Sequence, residues 1–170
     1  QTAAIASAGL PRQNAKPARG RDPDAGDDPH EGAPVTPDDD VIRAPSVGVR
    51  TALDLRRVGV DTLDDFARVH PIALVARLED TTLDPDVVEI WQQEVRLMLA
   101  IPGLTGSEAR LFVGAGFPDR NALLDAEMDA ICAALLQYAL SPDGAGALIA
   151  GPPPSLDTLR ALVERVRAAA

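Results

Sequence analysis

The stretch that decides the fold runs from Ala44-Pro45-Ser46-Val47-Gly48-Val49 through Val58-Gly59-Val60-Asp61-Thr62-Leu63-Asp64-Asp65-Phe66 to Leu78. Shifted by 57 residues it lies without a gap over Ile101-Pro102-Gly103-Leu104-Thr105-Gly106 and onward to Leu135. Pro45/Pro102, Ala52/Ala109, Gly59/Gly116, Ala73/Ala130, Ala76/Ala133 and Leu78/Leu135 are identical. The apolar positions pair in kind: Val47 with Leu104, Leu55 with Phe112, Val60 with Phe117, Phe66 with Leu123, Leu74 with Ile131. An ungapped register with matched core positions and a shared glycine indicates an internal repeat of helical units.

Outward from the repeat, the pattern stays helical from residue 37 to the end. Pro37 and three aspartates open a short helix through Val41 and Ile42, with carboxylates at the favourable end of the helix dipole. Arg50 to Val58 reads as a helix stopped by Gly59. Thr62 begins a capping box with Asp65 in place of Glu, and Pro71 fits a first helical turn. Asp84-Pro85 opens the longest core helix, where Val88, Trp91, Val95 and Met98 recur at helical spacing. Trp91 and the lone Cys132 are read as core. Ser107 is expected to cap a helix ending near Gly116, and Asp119 the next. Met128 to Tyr138 follows, then a short helix from Ser141-Pro142, a Gly151-proline break and a last helix capped by Ser155. Strand signals are absent, so the fold class is all-α: two tandem repeats in one compact helical domain.

The predicted organisation is a tail over 1–40 and a helical domain over 41–170. Repeat one spans about 41–80, a linking helix 84–99, repeat two about 100–138, and C-terminal helices 141–170. The tail carries six Pro and four Gly without apolar periodicity, a composition that stays disordered unless a partner orders it. Its charge is sorted: Arg12, Lys16, Arg19 and Arg21 come first, then eight acids from Asp22 to Asp40. The four basic residues are candidates for docking on an acidic surface.

The two turns resemble the helix-hairpin-helix family, in which a Gly-hydrophobic-Gly turn joins two helices and two units pack about a pseudo-twofold. The stretch Trp91-Gln92-Gln93 through Arg96-Leu97-Met98 and on to Gly106 is similar, more narrowly, to a bacterial-type family of such proteins of unknown function. The resemblance covers roughly residues 38–150. It implies that the turn residues Ser46, Val47, Gly48 and Arg50, with Gly103, Leu104, Thr105 and Gly106, contact phosphate or a protein partner. Both turns depart from the family pattern. Ser46 replaces the leading glycine of the first, Thr105 the second glycine of the other, and Ser107-Glu108 stand where a phosphate binder would carry a base.

Charge points the same way. The 170-residue chain has a formal net charge of −10, and residues 41–170 hold twelve Arg against eighteen acids, a net −6. Such a body repels duplex phosphates and anionic membranes. One cysteine excludes an internal disulfide and a Cys-based zinc site. His30 and His70 lack ligand-spaced partners, and no phosphate loop, dinucleotide fingerprint or nucleophile elbow occurs. The acid clusters Asp61/Asp64/Asp65, Glu79/Asp80 and Asp84/Asp86 fall at helix starts, where capping accounts for most of them. No catalytic residue, metal or cofactor is expected. No apolar run is long enough to span a membrane. Gln1 in place of Met reads as a processed or trimmed start, and a soluble, cytoplasmic chain is expected. The sequence therefore favours a structural or adaptor subunit that binds other protein subunits, with a DNA-associated protein as the alternative.

Overall fold

A computed structural model describes residues 33–78, 83–147 and 152–170. They contain a 3-10 turn at Val41–Arg43 and nine helices, and no strand. The helices are α1 (Val49–Arg57), α2 (Leu63–Arg68), α3 (Pro71–Leu78), α4 (Pro85–Ala100), α5 (Gly106–Gly114), α6 (Arg120–Asp125), α7 (Met128–Ala139), α8 (Pro142–Ala147) and α9 (Leu156–Ala169).

Local chemistry sets most of these ends. After α1, Gly59 takes φ 80°, its N–H reaches Arg56 O at 3.0 Å and Val60 N–H reaches Leu55 O at 3.0 Å. After α5, Gly116 at φ 98° and Phe117 repeat that pattern on Val113 O and Phe112 O at 3.1 and 2.9 Å. Both are Schellman ends, where the left-handed position favours glycine and the next apolar side chain folds back on the helix. Thr62 and Asp65 close a reciprocal capping box on α2, and Asp119 caps α6. Asp84 caps α4, with Pro85 at its first position. For α5 the cap is Thr105, two residues before the expected Ser107, and the helix ends at Gly114. Glu108 decides this: it lies three residues after Thr105 and returns its carboxylate to the Thr105 N–H at 2.9 Å.

Helices α1, α2 and α3 each begin 57 residues before α5, α6 and α7. Each half packs its own core. Leu55, Leu63, Phe66 and Leu74 surround Val88, Trp91 and Val95 of α4. Phe112, Leu123, Ile131 and Leu135 surround Leu97 and Met98 of the same helix, and Leu159, Val163 and Val166 of α9 close that cluster. Helix α4 is thus the shared spine. Cys132 is buried in the second core.

The tail boundary moves. Residues 35–40, placed in the tail by composition, are folded onto the body. Val35 packs against both cores. Leu63 N–H donates to Asp39 O and Val41 N–H to Asp61 O, each at 2.9 Å. Asp39 accepts from Thr36 N–H at 2.8 Å and pairs with Arg43 at 2.6 Å, while Asp40 pairs with Arg56. The Thr36 bond first, with Arg43 beside it, holds the Asp39 carboxyl below its ordinary range, and the Arg56 bond does the same for Asp40. These are acids with built-in partners, which composition alone does not reveal.

Candidate functional site

The turns that precede α1 and α5 come together. A Cβ on Gly106, at the start of α5, would lie 3.2 Å from Pro45 Cβ in the first turn. Just beneath, α4 brings two polar side chains into the interior. Gln92 is fully buried, and its Nε2 donates to Phe66 O and Val69 O, both at 2.7 Å. Phe66 lies in the last turn of α2 and Val69 is its C-cap, where carbonyls lack an intrahelical donor. Arg96 donates to the Gln92 Oε1 at 3.1 Å, so the amide is used at both ends.

Glu94 is 5% exposed and accepts from Ser46 Oγ at 2.6 Å. Burial pushes its carboxyl up to about 7, against the opposing pull of the Ser46 bond and of the charge on Arg110. Arg110, on α5, is itself buried. Together they border a cleft of about 250 Å³ whose apolar wall includes Val87, Ile90, Trp91 and Val113. Gln93, Gly114 and Tyr138 complete it, so the chain's single Trp and single Tyr both face this space. Glycine at 114 is a steric requirement. A Cβ there would come within 2.1 Å of the Tyr138 ring. Gly114→Ala should displace that ring and cost about 1–2 kcal/mol, as small-to-large core changes do. Urea unfolding of the purified variant reads the cost, and an unchanged midpoint would mean the ring swings away without loss.

The residues expected to form a contact surface are divided by the structure. Ser46, Val47 and Gly48 are buried, Ser46 turned towards Glu94 and Val47 in the first core. Arg50 is exposed in the first turn of α1, whose N-cap, Gly48, has no side-chain hydrogen bond. Leu104 is in the second core, and Gly103, at φ 79°, and Thr105 are half-buried. Arg165 of α9 pairs with Glu108 and reaches Gly103 O at 3.4 Å, which ties the second turn to the C-terminal helix. Arg12, Lys16, Arg19 and Arg21 lie outside the described residues, as do Glu79 and Asp80.

Sequence reasoning missed Glu94, Arg110, Gln92 and Tyr138. One signal existed for the first of them. Glu94 falls on the stripe of Trp91, Val95 and Met98 at helical spacing, so a charged residue stood on a core-facing position.

Among the described residues no group of three or more His, Cys, Asp or Glu is placed to hold a metal, and no helix is long and apolar enough to cross a membrane. Of the acid clusters, Asp65 and Asp84 serve as caps, and Asp64 pairs with Arg68 at 2.9 Å. No family model, curated protein or solved structure matches this chain.

Proposed function

We propose that this chain is a non-catalytic structural or adaptor subunit of a larger protein assembly, docking through its helical body and its N-terminal tail. In this reading the halves are two helix-hairpin-helix units whose turns serve the protein's own packing. The observation that carries it is the state of those turns. Ser46 is spent on Glu94, and the N-terminus of α5 is covered by the Glu108 carboxylate, itself paired with Arg165. A phosphate arriving at α5 would meet an anion already in place, on a body of net charge −6 over residues 41–170. A protein surface has no such conflict. The sorted charge of the tail offers a basic and an acidic segment to complementary partners.

The test is a pull-down of the tagged full-length chain from its native lysate, with and without nuclease, beside a variant with Arg12, Lys16, Arg19 and Arg21 changed to Glu. The expected result is a set of proteins in constant stoichiometry that survives nuclease and is depleted by the charge reversal. Retention of that set by the variant would remove the tail from the proposal. One feature favours the second reading, a DNA-associated protein: Arg50 stands exposed at the start of α1, beside a helix end with no side-chain cap. Its signature is capture that disappears with nuclease, and duplex binding that falls steeply with salt and with Arg50→Glu.

A further inference from the structure

We propose that the cleft between α4, α5 and the first hairpin turn is a binding site for a small organic acid, with Arg110 meeting its carboxylate and the Trp91 wall its apolar body. The proposal goes beyond the docking reading and rests on the residues that line the cleft.

Three observations converge here. The cleft holds about 250 Å³, just below the usual range for small-molecule pockets, which restricts it to a small acid of roughly ten non-hydrogen atoms or fewer. Its lining sets Trp91 and its apolar neighbours beside Ser46, Gln93, Glu94, Arg110 and Tyr138, so it offers both an apolar wall and polar groups to orient a ligand at one end. At that end is a buried guanidinium, whose planar fork matches a carboxylate and whose attraction is strengthened away from water. A core that needed only packing has no use for an arginine and a glutamate beside an open space.

Glu94 fixes how charge is balanced. Among the lining residues the charged groups are Glu94 and Arg110, and Tyr138 is the other titratable one. With Glu94 ionised, the cleft already holds one charge of each sign. A second carboxylate is accommodated when Glu94 takes up a proton, and burial already brings that within reach near neutral pH. Binding should therefore tighten by about tenfold from pH 8 to pH 6, as proton-linked association requires.

The full chain is titrated with phenylacetate and with isovalerate, following fluorescence of Trp91, the only tryptophan, with calorimetry for stoichiometry. One site per chain is expected, with phenylacetamide at least about tenfold weaker because it lacks the charge that Arg110 meets. Arg110→Met should abolish binding. Since that side chain is buried, Val87→Phe provides a second variant, filling the cleft from a half-buried position. Glu94→Gln should bind with an affinity that no longer varies between pH 6 and 8. Absence of saturable binding to the folded protein overturns the proposal. So does equal binding of the amide, and so does full affinity in Val87→Phe, which would place the ligand elsewhere.

Discussion

Replacing Gln92 by Leu should lower the unfolding free energy by about 3 kcal/mol, although the new side chain is apolar, similar in size and placed in a core. The amide nitrogen serves two carbonyls, Phe66 O and Val69 O, at the end of a six-residue helix. Each carbonyl left without a donor away from water costs about 1–3 kcal/mol, while the burial gained by Leu returns only part of this. Loss of the Arg96 contact adds little, because that bond is at the edge of the core. Urea denaturation with an unchanged slope is the measurement. A cost below about 1 kcal/mol would show that water or a shift of α2 satisfies both carbonyls. Arg96→Ala is the natural control and should cost under about 1 kcal/mol.

Glu94→Gln should act in the opposite direction, raising stability by about 2 kcal/mol at pH 8 and leaving it unchanged near pH 4. In the folded chain Glu94 holds its proton up to about 7, against an ordinary value of 4.5. The folded state therefore binds more protons than the unfolded state between those two values. The favourable contribution of protonated Glu94 is complete below pH 4.5 and is lost as pH rises through about 7. At about 1.4 kcal/mol per pH unit, this window sets a ceiling of about 3 kcal/mol. Gln has no proton to lose, and its amide oxygen still accepts from Ser46. The variant's advantage should grow from pH 5 to pH 7 and then level off. An advantage that is constant with pH would show that Glu94 titrates normally and that the cleft is wet.

Much of the fold could be read from residues whose partners are near in sequence. Thr62 with Asp65, Asp84 with Pro85, and Gly59 and Gly116 mark helix ends through bonds spanning five residues or fewer. The 57-residue offset placed the apolar faces. Errors began where two local solutions compete. Thr105 and Ser107 can both cap, and the position of Glu108 favours Thr105. The cleft was illegible for a different reason. Ser46 and Glu94 are 48 residues apart, and Arg110 and Tyr138 enter from two further helices. Charged types on a helix normally face water, so apart from the core-stripe position of Glu94 only packing reveals that these do not. The aspartates at 39 and 40 show the converse: a run that composition assigns to a solvated tail is paired residue by residue with Arg43 and Arg56.

The shared spine has a consequence for how the molecule comes apart. Val88, Trp91 and Val95 belong to one core, and Leu97 and Met98, the next residues along the same helix, to the other. Neither half can melt without stripping one face of α4, and a helix of 16 residues left half-covered is marginal in water. Cooperativity is therefore transmitted along a single rod. Amide protons in the middle of α4 should be among the last to exchange with deuterium, and both halves should disappear in one transition. A chain that looks like two copies of one unit would then behave, to heat or denaturant, as one indivisible body.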